Sequence, residues 1–141
     1  MQFGLIFRNQ APAGATPPPG YTPAEVHLGL HVERVFSSLE IWSQADYLAS
    51  WKSAAHERVQ GSAVQIFCSD LTVDHAGLLC GEVDGEHANF IELWVPRTQL
   101  VITESRLIGH GGNEQFIRDV PTDASRWRVS MDLIAALIKR P

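Results

Sequence analysis

The fold is decided by residues 36–59, FSSLEIWSQADYLASWKSAAHERV, which indicate the end of a strand followed by one amphipathic helix. Ser43 is suited to be the N-cap, because its hydroxyl can accept a hydrogen bond from a free backbone N–H of the first turn. Asp46, three residues later, can reach back to the backbone N–H of Ser43, which completes a capping box. Trp42 and Tyr47 stand at the two positions that form a hydrophobic staple.

The predicted helix covers about residues 44–60, and Gly61 is suited to end it. Side chains spaced by three and four residues share one of its faces: Tyr47, Trp51, Ala54, Ala55 and Arg58. A helix that carries this much aromatic surface must pack on a large apolar partner. The rest of the chain supplies that partner as a series of strands.

Length and composition indicate a single globular domain over residues 1–141, since 45% of the residues are apolar and a chain of this length can bury a sizeable core. No apolar run reaches the roughly 18 residues that a membrane-spanning helix needs. The N-terminal segment MQFGLIFRNQ lacks the features of a signal peptide. Cys68 and Cys80 lie in predicted strands and are expected to be buried free thiols, which favours a cytoplasmic protein.

Strand patterns occupy most of the remaining chain. The predicted strands cover residues 2–8, 26–36, 63–69, 77–83, 87–95 and 100–108, with a short extended segment at 127–129. Asp84-Gly85 lies between two apolar runs and predicts a tight hairpin in which both central residues have positive φ. A proline-rich loop is expected at about 9–24, and a second long loop at 109–123.

The order of these elements predicts the fold class. Ser130 is expected to cap a last helix over about residues 130–139. The buried stripe of this helix is formed by Leu133, Ile134, Leu137 and Ile138. Consecutive strands with short connections favour an antiparallel sheet. We therefore expect an α+β fold, in which about six strands form one antiparallel sheet and the two main helices pack against it.

The histidines do not indicate a metal site. His27 and His31, in the motif HLGLH, share a face of one predicted strand but stand about 13 Å apart at the rise of an extended chain, too far to bind one ion. His75, His87 and His110 are scattered and lack a matching Cys or Asp pattern. The glycine-rich segment GHGGNE at 109–114 lacks the lysine of a P-loop. No metal and no cofactor are therefore expected.

One carboxyl group could serve an enzyme. Glu92 shares a strand face with Phe90 and Trp94, so partial burial is expected to raise the pKa of its carboxyl group. With Glu82 or Glu104 across the sheet, Glu92 could form a carboxylate pair for acid–base catalysis. The other interpretation is an ion pair with a neighbouring arginine. Because the sequence contains no motif of a nucleophilic enzyme, no catalytic residue is assigned.

The net charge of −5 is unevenly distributed. Between residues 70 and 104 there is one basic residue, Arg97, and there are seven acidic ones: Asp70, Asp74, Glu82, Asp84, Glu86, Glu92 and Glu104. Such a stretch disfavours nucleic acid as a direct ligand, because phosphates bind to Lys and Arg. It favours a basic protein partner, although the acids could also be solvated strand faces and turns.

The chain resembles the immunity proteins of bacterial contact-dependent growth inhibition systems. Residues 36–52 match that family's pattern F-x-S-L-x-x-W-x-x-x-D-Y-x-x-x-W-K at Phe36, Ser38, Leu39, Trp42, Asp46, Tyr47, Trp51 and Lys52. FRN at 7–9, NFIELWVPR at 89–97 and RWRVSMDLIAALI at 126–138 are similar to further segments of the family. The loops at 9–24 and 109–123 differ from the family, and Pro96-Arg97 stands where it has a tyrosine.

The resemblance implies a protein that binds the toxin domain of a CdiA-like effector, often a nuclease, and neutralises it without catalysis or cofactors. The expected contact residues are the seven acidic residues between 70 and 104. Trp42, Tyr47 and Trp51 are expected to support the fold. Two alternatives are a small carboxylate-dependent enzyme and an adaptor that binds partners through the proline-rich loop. The sequence does not indicate the oligomeric state.

Overall fold

The computed structural model of the chain describes residues 1–9, 15–59, 64–118, 120 and 124–140, without the side chains of residues 58 and 59. In chain order these residues form β1 (Gln2–Phe7), β2 (Tyr21–Gly29), β3 (His31–Ser38), α1 (Gln44–Val59), β4 (Val64–Leu71), β5 (His75–Asp84), β6 (His87–Pro96), β7 (Leu100–Thr103), β8 (Arg106–Gly109), α2 (Gln115–Arg118), β9 (Arg126–Ser130) and α3 (Met131–Ile138). A single 3₁₀ turn, Arg97–Gln99, joins β6 to β7. None of the helices in the described part of the chain is long and apolar enough to cross a membrane.

The predicted α+β class is confirmed, but the strands form three antiparallel sheets in place of one. Their strand orders are β1-β2-β3, β4-β5-β6-β9 and β7-β8. The described residues thus contain nine strands where the sequence predicted about six. Part of the difference comes from two hairpin turns that each split one predicted strand.

The first of these turns lies inside the predicted strand 26–36. Gly29 has φ +71°, a conformation that glycine adopts without steric cost, and the chain reverses there. Leu30, at the tip, is 88% exposed and does not share a buried face with its neighbours. His27 and His31 consequently lie on two paired strands and not on one. The alternation of apolar residues continues through the turn, so it did not reveal the break.

The second turn splits the predicted strand 100–108 into β7 and β8. Glu104 has φ 54° and is the one non-glycine residue with positive φ in the described part of the chain. The hairpin between β5 and β6 is confirmed, with Asp84 paired to His87. Its central residues are Gly85 and Glu86, and positive φ occurs at Gly85 alone, so the predicted type of turn was wrong.

The start of α1 is as predicted. The backbone N–H of Ser43 donates to Oδ2 of Asp46 at 3.0 Å, and the N–H of Asp46 donates to Oγ of Ser43 at 3.2 Å. The rings of Trp42 and Tyr47 meet edge to face at 5.3 Å, which forms the staple. The helix reaches Val59, whereas the side chain of Arg58 and the stop at Gly61 lie outside the described residues.

The core lies between the three-stranded sheet, the four-stranded sheet and α1. Phe3 of β1 is at its centre, with ring centroids 5.4 Å from Trp51 on α1, 5.0 Å from Phe67 on β4 and 5.3 Å from Phe90 on β6. All four rings are buried. Aromatic pairs at these separations add about 0.5–1.5 kcal/mol each to the free energy gained by burial.

Strand β3 crosses the face of the four-stranded sheet. At its start, the ring of His31 stacks on Trp127 of β9 with centroids 4.9 Å apart. At its end, Ser37 donates from Oγ to the carbonyl of Ser69 on β4 at 2.5 Å. Because β9 and β4 are the two outer strands of that sheet, the middle of β3 lies over β6 and β5.

The two predicted loops hold some regular structure. The proline-rich segment is shorter than expected, because β2 begins at Tyr21 and includes Pro23; residues 10–14 lie outside the described part. The segment 109–123 contains the short helix α2. The cap of the last helix is confirmed, since Oγ of Ser130 accepts a hydrogen bond from the N–H of Asp132. Of the predicted stripe of α3, Ile134 and Leu137 are buried, and Leu133 and Ile138 are partly buried.

Candidate functional site

The seven acidic residues predicted to bind a partner lie in separate places. Glu82, Asp84 and Glu86 are exposed at the turn end of the β5–β6 hairpin. Arg128 on β9 donates from Nη1 to Oδ2 of Asp84 at 3.1 Å, which partly neutralises this group. The structure thus brings three of the seven acids together on one exposed surface.

Asp74 and Asp70 lie at the opposite end of β5. Asp74 is exposed, and ten residues of extended chain place it about 30 Å from Asp84. Asp70 is 5% exposed and accepts a hydrogen bond at Oδ1 from the backbone N–H of Ser38, at 2.8 Å. Burial raises the pKa of Asp70. Its position indicates that Asp70 joins β4 to the end of β3 and is not part of an exposed acidic surface.

Glu104 lies at the tip of the β7–β8 hairpin. Its backbone carbonyl accepts the indole N–H of Trp42 at 3.0 Å, while its side chain is exposed. Neither Glu104 nor Glu82 pairs with Glu92. In the four-stranded sheet, Glu82 is in register with Asn89, whereas Glu92 is in register with Leu79.

The group that meets Glu92 is Glu33, on the crossing strand β3. Burial, the charge of Glu33 and a hydrogen bond with Glu33 together raise the pKa of Glu92 to about 7. The predicted rise in the pKa is thereby confirmed, and the predicted partner is replaced. Sequence spacing gave no signal for Glu33, because its position depends on the turn at Gly29 and on the path of β3.

A cleft of about 220 Å³ opens at this carboxyl pair. Its walls come from four strands, with Glu33 and Arg34 on β3, Asp70 on β4, Gly77 on β5 and Glu92 on β6. The side chain of Trp94 closes one side of it. The cleft therefore combines two carboxyl groups that share a hydrogen bond with an aromatic wall.

Trp94 is the exposed tryptophan of this surface, with 62% of its area accessible to solvent. Its ring lies over Gly77, where an added Cβ would be only 3.1 Å from the ring carbons. The ring of His75 meets it edge to face at 5.3 Å. Val73, in the adjoining turn, is 59% exposed. The glycine and the histidine hold the ring in one position while leaving its outer face free.

Three of the four aromatic residues of the 36–52 motif, Trp42, Tyr47 and Trp51, support the fold. Tyr47 donates from its hydroxyl to the carbonyl of Ser38 at 2.6 Å and accepts the N–H of Leu71 at 2.8 Å. Trp51 donates from Nε1 to the carbonyl of Cys68 at 2.7 Å. These two residues and Trp42 are buried, so they are not available to a partner.

Among the described residues, no group of three His, Cys, Asp or Glu side chains is arranged to hold an ion. Cys68 and Cys80 are free and buried, and burial raises the pKa of Cys80 to about 12.

A larger groove of about 660 Å³ lies between β1, α1 and α3, lined in part by Leu48 and Ile6.

A comparison with solved structures finds the same fold in a chain of the CdiA-CT/CdiI toxin and immunity complex from Enterobacter cloacae. The TM-score is 0.71, the sequence identity is 11%, and the match covers 97% of this chain and 96% of that chain. No family model matches the sequence. A search of curated protein sequences finds no match. At 11% identity the likeness establishes a shared fold.

Proposed function

We propose that this protein is an immunity protein, which binds the toxin domain of a CdiA-like effector in the cytoplasm and blocks it without catalysis. The observation that carries the proposal is the fold shared, over 97% of the chain, with a chain from a toxin and immunity complex. That complex contains both kinds of protein, and the resemblance of residues 36–52 favours the immunity role.

The architecture supports a role in recognition. The residues that match the family pattern, such as Tyr47 and Trp51, form the core and its hydrogen bonds. Two proteins can therefore share this fold at 11% identity and present different surfaces. The partner of this chain is accordingly a protein that fits its own exposed residues.

We propose a nuclease as the toxin. A domain that cleaves nucleic acid presents Lys and Arg to phosphate groups. This chain has a net charge of −5, so attraction between the two proteins accelerates their association and weakens as the salt concentration rises.

Rescue of growth tests the proposal. The toxin domain of the effector encoded next to this gene is expressed in cells with and without this protein, and a toxin domain from an unrelated effector serves as the control. We expect growth to be restored against the neighbouring toxin alone. Continued growth arrest despite abundant folded protein would contradict the immunity role for this pair.

A titration separates this role from the enzyme alternative, which the contact between Glu33 and Glu92 keeps open. An inhibitor that acts by binding abolishes toxin activity only when about one mole of it is present per mole of toxin. An enzyme that modifies the toxin turns over, so a small fraction of one equivalent abolishes toxin activity after a long enough incubation. Toxin activity is measured after incubation with 0.1 to about 2 equivalents of this protein. Full inactivation at 0.1 equivalent would contradict inhibition by binding.

A further inference from the structure

We propose that the toxin domain docks on the Trp94 face and inserts an arginine side chain into the cleft between Glu33 and Glu92. The Trp94 face comprises Val73, His75 and Trp94 together with the two carboxyl groups of the cleft. The inference rests on the proposed function and names the surface and the partner group that serve it.

Trp94 has the properties of an interface anchor. Tryptophan is among the residue types that contribute most to binding when they become buried at the centre of an interface. Its ring is already held between Gly77 and His75, so little side-chain freedom is lost when a partner covers it. With 62% of its area and 59% of the area of Val73 exposed, the patch offers apolar surface that the protein itself leaves uncovered.

The carboxyl pair defines the chemistry of the group that enters the cleft. When two carboxyl groups share a hydrogen bond, one of them holds a proton, because two adjacent negative charges repel. A cation can take the place of that proton. A guanidinium group fits best, since its planar fork can bind both carboxylates while its face stacks on an aromatic ring such as Trp94.

The charged groups that already surround the cleft leave the pKa of Glu92 raised. The charged and titratable groups on the strands packed against the carboxyl pair are His31, Glu33 and Arg34 on β3, Asp70 on β4, His75 on β5 and Arg126 on β9. Nε2 of His31 lies 3.7 Å from Oε2 of Glu33. With all of them in place the pKa of Glu92 is still raised to about 7. Below about pH 7 the cleft therefore holds a proton that an added positive charge displaces.

The Trp94 face is separate from the turn end of the β5–β6 hairpin, where Glu82, Asp84 and Glu86 are exposed. Trp94 is in register with Gly77, seven residues before Asp84, which places the two surfaces about 23 Å apart along β5. Variants at Asp84 and Glu86 therefore remove negative charge from the same hairpin without touching the cleft. They serve as matched controls for the variants Glu92→Gln and Trp94→Ala.

The first test measures the Kd for the toxin domain of the neighbouring effector by isothermal titration calorimetry. We expect Trp94→Ala and Glu92→Gln each to weaken binding about tenfold or more, as loss of a central interface residue does. Asp84→Asn and Glu86→Gln, at the rim or outside the interface, are expected to change the Kd by about twofold or less. Circular dichroism and thermal unfolding establish that each variant is folded.

The second test measures whether the carboxyl pair releases a proton when the toxin domain binds. If a guanidinium group displaces it, binding by the native protein tightens from pH 6 to pH 8, by at most about tenfold per pH unit for a single proton. Calorimetry at about pH 6, below the pKa of Glu92, in buffers with different heats of ionisation then detects a proton released on binding. Glu92→Gln is expected to remove both the release and this pH dependence, whereas Glu86→Gln retains them.

The outcomes distinguish this inference from the proposed function. If the native protein neutralises the toxin and both Trp94→Ala and Glu92→Gln bind like the native protein, the toxin docks elsewhere and the inference is wrong. If Glu92→Gln binds more weakly but native binding releases no proton, the arginine in the cleft is wrong. If the native protein fails to bind at all, the proposed function fails for that toxin. If Trp94→Ala does not fold, the Kd and the proton release of Glu92→Gln still test the inference.

Discussion

Glu92 titrates near neutral pH because it is partly buried and in contact with a second carboxyl group. Burial and Glu33 raise the pKa of Glu92 from 4.5 to about 7 in the folded protein. Between these pH values the folded state binds more protons than the unfolded state. The free energy of unfolding therefore falls as the pH rises from about 4.5 to 7, and it stays lower above that range. The pair thus lowers stability at neutral pH, as carboxyl groups with shifted pKa values at functional sites often do.

We accordingly expect Glu92→Gln to stabilise the protein by about 1–2 kcal/mol at pH 8 and to have little effect at pH 4. This figure is below that of the whole pKa shift, because solvent screens a partly exposed group. Urea unfolding at pH 4, 6 and 8 measures the difference. Glu86→Gln, which removes an exposed carboxylate from the same hairpin, is the control. If Glu92→Gln changed the free energy of unfolding equally at all three pH values, the change would not come from the deprotonation of Glu92.

At the scale of the element, α1 is defined by interactions among neighbours in sequence. Ser43 and Asp46 exchange hydrogen bonds, and Trp42 packs on Tyr47 directly after the cap. These contacts fix where the helix starts and how the chain enters it. They also direct Tyr47 and Trp51 into the core, where both reach backbone carbonyls of other elements.

Removal of the cap has a local and measurable effect. Ser43→Ala is expected to lower the free energy of unfolding by about 1 kcal/mol, because the N–H of Asp46 loses its acceptor. Ser43→Asp supplies another capping oxygen and is expected to restore most of that stability. Urea unfolding at constant pH compares the two. Equal stability of Ser43→Ala and the native protein would mean that the cap contributes nothing here.

At the scale of the molecule, stability depends on the junction at Phe3. This ring contacts α1, β4 and β6 at once, so it joins both larger sheets and the helix. Arg140, near the C-terminus, also donates from Nη2 to the carbonyl of Phe3 at 2.9 Å. Residues from both ends of the chain thus meet at one point of the core.

We expect Phe3→Ala to destabilise the protein by about 3–5 kcal/mol, because the surrounding rings cannot collapse fully into the cavity. Phe3→Leu keeps most of the volume and is expected to cost less, about 1–2 kcal/mol. Thermal and urea unfolding of the two variants give the comparison. If both substitutions cost the same, loss of aromatic contact and not loss of volume determines the effect.

The features that sequence predicted correctly depend on residues close together in the chain. The cap and staple of α1, the Ser130 cap and the β5–β6 hairpin each involve partners within about five residues. Such contacts leave a direct pattern in the sequence. The α+β class followed from the order of these elements, and the raised pKa of Glu92 followed from the alternation of its strand.

The tertiary structure alone decided how the strands group into sheets and what meets Glu92. The sequence pattern did not reveal the hairpin at Gly29, because apolar residues alternate on both sides of it. Glycine adopts an extended or a turn conformation without steric cost, so Gly29 did not distinguish the two. Once the chain reverses there, β3 crosses the four-stranded sheet and carries Glu33 to Glu92, a residue 59 positions away in the chain. The sequence determined the start of α1, the Ser130 cap and the β5–β6 hairpin, because their contacts are local. The cleft arose from packing between sheets, which links residues that no local spacing relates.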